Sequence, residues 1–285
     1  MKRRNKHMSI AALVAVMALS GWVLPACATK RNESLSPETE VAGSEITEEN
    51  NQSTPLVTQP EKQPESQPEK QPEKQTVQYI AVTSSGVNIR SGAGSGYSAL
   101  GVAEKDTLYA LNGSSGGWYK TSYKNKTAYI SAKYCKTVQL DKSANEQIED
   151  VIAQGCRCLG VKYVYGATRY HDGKGNRLSG FTTSAFDCSS LMQYMFKLGA
   201  GVNLQVNTRT QIYQGKTVKK SELKRGDLMF FTNASRKNNT GIERVGHVAI
   251  YLGDNYILHT ASDYAKIEQI SATRWGYYIQ SQRIL

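Results

Sequence analysis

Two-thirds of the way along its 285 residues the chain reads Phe186-Asp187-Cys188-Ser189-Ser190-Leu191-Met192-Gln193-Tyr194-Met195-Phe196-Lys197-Leu198-Gly199, a polar start followed by an apolar stripe. Leu191, Met192, Met195 and Leu198 recur at helical spacing, and Gly199 suits the end of that helix. Asp187 suits its N-cap and places Cys188 in the first turn. Unpaired backbone N–H groups and the helix dipole there favour a thiolate, the form in which sulfur attacks carbon. A lone cysteine is more often a small buried filler. The capping aspartate brings a chemical role into contention.

A nucleophile needs a base. Gly246-His247-Val248-Ala249-Ile250-Tyr251-Leu252-Gly253 alternates like a strand between glycines, and Tyr256-Ile257-Leu258-His259 reads as a second strand past an Asp254-Asn255 turn. Their pairing as a hairpin predicts His247 and His259 on neighbouring strands. One imidazole can then serve the thiol as base while the other orients it. Two blander readings stand beside this one: structural histidines, or a three-ligand zinc site. The absence of a tight metal spacing speaks against zinc. Upstream, Ser143 and Glu146 form a capping-box pattern ahead of Ile148, Val151, Ile152 and Leu159, predicting a helix from Ser143. Helices followed by antiparallel strands predict an α+β domain over 143–285, ample for one core.

The first half has three textures. Residues 1–27 run from a basic start through an apolar stretch to small residues, which predicts an export signal. Leu24-Pro25-Ala26-Cys27 resembles a lipoprotein box, so Cys27 is a candidate for lipidation and membrane attachment; cleavage after Ala28 is the alternative. Residues 28–77, with repeats of Gln-Pro-Glu-Lys, cannot bury a core and predict an extended tether. Residues 78–137 hold short β-rich runs between Gly, Ser and Asn turns, which predict a small all-β barrel. The net charge is +11 and concentrates in 78–285. That suits an anionic partner, and no nucleic-acid motif is present. Of the five cysteines, Cys135, Cys156 and Cys158 read as structural thiols.

Two resemblances sharpen the reading. Asn88-Ile89-Arg90-Ser91-Gly92, Gly117-Trp118-Tyr119-Lys120 and Ala128-Tyr129-Ile130-Ser131 resemble a bacterial SH3-like wall-binding domain, in which Trp118 could be core or ligand contact. Gly160-Val161-Lys162-Tyr163-Val164-Tyr165-Gly166, Phe186-Asp187-Cys188-Ser189, Arg209-x-Gln211, Arg225-Gly226-Asp227-Leu228 and the two histidine strands, in that order, resemble the NlpC-type (NlpC/p60) papain-like cell-wall cysteine endopeptidases. The resemblance implies a papain-like α+β domain that cuts peptidoglycan stem peptides at the γ-D-glutamyl–diamino acid bond without a cofactor. It implies Cys188 as nucleophile, His247 as base and His259 as orienter. Tyr163 would polarise the scissile carbonyl, and Asp187 and Ser189 would lie beside the D-glutamyl unit. A wall-binding lipoprotein with an inactive peptidase-like domain, or a Cys–His amidase or acyl transferase, are the alternatives. The stretch 167–185 is longer than the family pattern, and Ala167 and Ser190 replace glycines common in it. That insertion either reshapes the substrate groove or is a disordered loop.

Overall fold

The computed structural model describes residues 74–285. The expectations for the signal segment, Cys27 and nearly all of the tether lie outside the described residues. Eight short strands come first: β1 (Thr76–Val82), β2 (Val87–Arg90), β3 (Ala99–Ala103), β4 (Leu108–Ala110), β5 (Gly113–Ser115), β6 (Trp118–Tyr123), β7 (Lys126–Ser131) and β8 (Cys135–Asp141), with buried and exposed positions alternating most clearly in β2, β6 and β7. Lys124 and Asn125, both at positive φ (50° and 61°), make the two-residue turn between β6 and β7, the handedness that a tight hairpin needs. Val87, Ile89, Ala103, Ala128 and Ile130 fill the interior. Trp118 is not among them; it is half-buried in the wall of a groove with Asn88, Arg90 and Tyr134. β1 starts at Thr76, inside the stretch read as tether, because Val77 and Tyr79 pair with Leu140 and Val138 of β8.

The second part runs α1 (Glu146–Arg157), β9 (Lys162–Tyr163), β10 (Ala185–Phe186), α2 (Cys188–Ala200), α3 (Thr208–Gln211), β11 (Lys216–Val218), β12 (Leu228–Phe231), β13 (His247–Gly253), β14 (Tyr256–Ala261), β15 (Tyr264–Gln269), α4 (Ala272–Gly276) and β16 (Tyr278–Arg283). Its antiparallel sheet has the order β11-β16-β12-β13-β14-β15, with α2 packed on β13 and β14 and α1 packed on α2. This is the expected α+β architecture. The sheet continues into the barrel, since Ile267 of β15 pairs with Leu108 of β4. Arg225 adds a second link by donating to Glu149 of α1 (2.7 and 2.9 Å) and to the Tyr79 hydroxyl of β1 (2.8 Å). None of the described helices is long and apolar enough to cross a membrane.

Both long helices differ from expectation at one end. α1 begins at Glu146 with Asn145 as its cap, accepting from the Gln147 N–H at 3.0 Å. Ser143 is drawn off the helix because its own N–H goes to Glu149 and its hydroxyl accepts from Asn145. α2 passes through Gly199 and ends at Gly201, whose φ of +71° is the left-handed turn that glycine supplies. Gly199 serves packing instead: a Cβ there would lie 2.4 Å from the Val151 nitrogen of α1. The insertion 167–185 is folded. Tyr170, Phe181, Phe186 and Tyr194 form an aromatic cluster, with Tyr170 and Phe181 edge-to-face at 5.0 Å. His171 is fully buried, and its N–H donates to Gln193 of α2.

Candidate functional site

β10 enters α2 directly through Asp187, whose extended backbone ends the strand and caps the helix. Asp187 Oδ1 accepts from the Ser190 N–H (2.8 Å) and the Ser189 hydroxyl (3.0 Å), and Ser190 Oγ returns a bond from the Asp187 N–H. Asp187 Oδ2 takes the Gly166 N–H at 3.2 Å and Arg169 Nη2 at 2.9 Å. The carboxylate is therefore fully engaged by its own chain, Arg169 of the insertion included. Cys188 sits in the first turn of α2, where helix geometry gives its backbone N–H no intrahelical acceptor.

The histidines meet across the β13–β14 pair. His247 Nε2 lies 3.0 Å from His259 Nδ1, with the rings edge-to-face at 5.1 Å between centroids. His259 Nε2 lies 2.9 Å from Glu268 Oε1, and Arg274 Nη2 lies 3.1 Å from the same oxygen. Burial acts upward on Glu268, but the His259 hydrogen bond and the charges of His259, Arg274 and Lys266 hold it down at about 2. An ionised carboxylate can only accept, so His259 carries its proton on Nε2 and accepts at Nδ1. His247 must then donate from Nε2, which leaves Nδ1 as its bare, basic nitrogen. His259 has no nitrogen left for a metal, which argues against the zinc reading on geometry. Glu268 and Arg274 went unseen in the sequence. Glu268 reaches His259 diagonally because Ile257 pairs with Glu268 and His259 with Lys266, a register that turn residues do not reveal.

Burial works against the expected thiolate. Burial foremost, then the Asp187 charge, pushes the Cys188 thiol up to about 12, against the backbone N–H groups of Val248 and Ser189 and the Arg169 charge. Burial, then His259 and Arg274, holds His247 well below the ordinary imidazole value. Both shifts favour a neutral thiol beside a neutral imidazole. The capped helix start does not outweigh desolvation and a neighbouring anion. The Val248 N–H acting on the sulfur also puts Cys188 at the start of β13, one residue from His247. Tyr163, raised to about 12 by burial and by the Cys188 and Asp187 charges, keeps its phenolic proton and can donate it. Tyr163 and Gly246 form the shared wall between a cavity of about 190 Å³ at Cys188 and one of about 310 Å³ at His247. A chain laid across that wall would pass the sulfur and the base in turn. Cys156 and Cys158 are free and buried, with thiols raised to about 12 by desolvation, while Cys135 is free and half-buried.

The thiol at the start of α2 and the linked imidazole pair and carboxylate on the antiparallel sheet are the groups from which a nucleophile and its base could be drawn. Residues 160–283 match the NlpC/P60 family and residues 85–136 the bacterial SH3 domain, so the chain carries an NlpC/P60 domain behind a bacterial SH3 domain. It is 36% identical over 42% of its length to a probable endopeptidase NlpC homolog of Haemophilus influenzae, 61% of which is covered. It is 35% identical to the murein DD-endopeptidase MepS/murein LD-carboxypeptidase of Escherichia coli K12, over 41% of this chain and 60% of that one. It is 28% identical to the gamma-D-glutamyl-L-lysine dipeptidyl-peptidase of Bacillus subtilis, over 60% of this chain and 50% of that one. The chain thus spans half to three-fifths of the length of these curated relatives.

Proposed function

We propose that this chain is a peptidoglycan endopeptidase that hydrolyses stem peptides at the γ-D-glutamyl–diamino acid bond with Cys188 as nucleophile. The observation that carries the reading is the linked series His247, His259, Glu268, with both histidine tautomers set by the carboxylate at its end and Cys188 lying against the N–H of Val248, the residue after His247. As the substrate carbonyl approaches, the Cys188 proton passes to His247 Nδ1 and the sulfur bonds to carbon. Charge developing on the carbonyl oxygen is met by the Cys188 N–H and the Tyr163 hydroxyl. The tetrahedral adduct collapses to a thioester, and His247 returns the proton to the departing amine. Water, deprotonated by His247, then releases the acid and restores the thiol. Imidazolium formed on the way is stabilised through His259 by the Glu268 charge. Asp187 holds Cys188 and Arg169 in place and has no free lone pair for substrate. Action outside the cytoplasm, with the SH3-like domain and Trp118 on the wall polymer, fits this reading.

The choice of bond rests on the Bacillus relative's name; the Escherichia relative's name points to the DD bond of cross-links. Mass spectrometry of products from defined muropeptides separates them. The account expects fragments ending in γ-D-glutamate. Fragments cut at the cross-link would move the assignment to the DD bond, and intact stems freed from sugar would indicate an amidase.

A further inference from the structure

Three guanidinium groups face the cavity that holds Cys188: Arg169, Arg209 and Arg236. Arg169 is spent, since it binds Asp187, the Ser189 hydroxyl and the carbonyls of Ala167 and Val206. The other two are not. Arg209 Nη1 and Arg236 Nη1 converge on one oxygen, Glu243 Oε2, at 2.6 and 3.2 Å. Two cations therefore share one anion at the cavity wall. Arg236 is also fixed through Nη1 to the Glu243 carbonyl at 2.9 Å, and its backbone N–H donates to Asn233 Oδ1. Gly246 makes room for it: a Cβ there would lie 2.9 Å from Arg236 Cδ, so the arginine stem crosses the backbone just ahead of His247. Among the described residues each arginine bonds the protein through Nη1, leaving its Nη2 edge for another acceptor.

A planar fork beside surplus positive charge is matched by a carboxylate, which can take two parallel N–H bonds. Resting on the reading of the substrate as a stem peptide, we propose that Arg209 and Arg236 form a carboxylate subsite beside Cys188, so that the chain selects stem peptides presenting a free carboxylate there. Stem peptides offer two sources of that group. A γ-linked glutamyl residue leaves its α-carboxylate free, and a diaminopimelyl residue carries a second carboxylate beyond its peptide link. Amidation of either removes the charge without changing the shape.

The test measures binding to the full chain carrying Cys188→Ala, by calorimetry, with two matched pairs of stem peptides. One pair differs only in a free or amidated glutamyl α-carboxylate, the other only in a free or amidated diaminopimelyl carboxylate. The subsite predicts that in one pair the acid binds roughly 10- to 100-fold tighter than the amide, as a charge-assisted pair of bonds would give. Which pair responds identifies the source. R209Q with R236Q should erase that preference, bringing acid and amide to equal affinity. Equal affinity within both pairs, no binding of any peptide, or a preference that survives both substitutions would overturn the subsite. The acid–amide comparison with native arginines needs no variant at these positions. Acid preference in binding without turnover by the native chain would uphold the subsite and sink the hydrolase reading. Turnover without preference would do the reverse.

Discussion

The proton inventory of the site decides its pH behaviour. Because burial holds His247 well below 6.5, its Nδ1 stays basic as pH falls through that value, and the acid limb of kcat/KM should lie below 6.5. With the Cys188 thiol raised towards about 12, iodoacetamide alkylation of Cys188 should keep rising from pH 7 to 10. A rate already level at pH 6 would mean a resting thiolate–imidazolium pair and contradict the neutral one. Glu268→Gln should lower kcat roughly 10- to 100-fold with little change in KM, because the hydrogen bond to His259 keeps a neutral acceptor and loses the charge that stabilises the imidazolium. The His259 titration, followed by NMR, should also move to lower pH, because the carboxylate raises His259 and its removal takes that support away. An unchanged titration would make Glu268 merely structural. Cys188, His247 and His259 were legible in the sequence because each lies in a short local pattern of cap, strand or turn. Glu268 and Arg236 were not. One reaches the site through strand register and the other through a loop tethered over Gly246, and neither leaves a local trace.

At the level of elements, the boundaries that strayed did so for packing reasons. Gly199 looked like a terminator because glycine is a poor helix residue, yet it is where α2 passes against α1. Gly199→Ala weighs two opposing effects. Helix propensity gains about 1 kcal/mol, while a Cβ 2.4 Å from the Val151 nitrogen forces the helices apart at a cost of about 1–3 kcal/mol. The substitution should lower the urea midpoint; a raised midpoint would show that the helices part freely. The strands of the barrel were largely legible from alternation. β3, β5 and β8 were not: β5 is fully exposed and β8 mostly so, and β3 lacks clean alternation. The insertion's order was invisible for a different reason. Its aromatic anchors, Tyr170 and Phe181, are eleven residues apart in sequence and gain meaning only against Tyr194 of α2.

Over the whole molecule, the SH3-like and NlpC/P60 parts share a continuous sheet and the Glu149–Arg225–Tyr79 network, so calorimetry of the chain should show them melting together. Arg225→Met leaves the largely buried Glu149 uncompensated and should cost about 3–5 kcal/mol, with both parts losing stability. Two separate transitions in the unaltered chain would contradict the coupling. The two-part architecture was legible as a change of texture near residue 78, whereas the joint at Leu108 and Ile267 depends on a single pairing that no motif announces. On the proposed function, all of this scaffolding serves one sulfur. The most direct test of that claim is the release of shortened muropeptides from purified peptidoglycan, measured for the full chain and for its Cys188→Ala variant. The account predicts turnover by the first and none above background by the second. Equal release by both would contradict it.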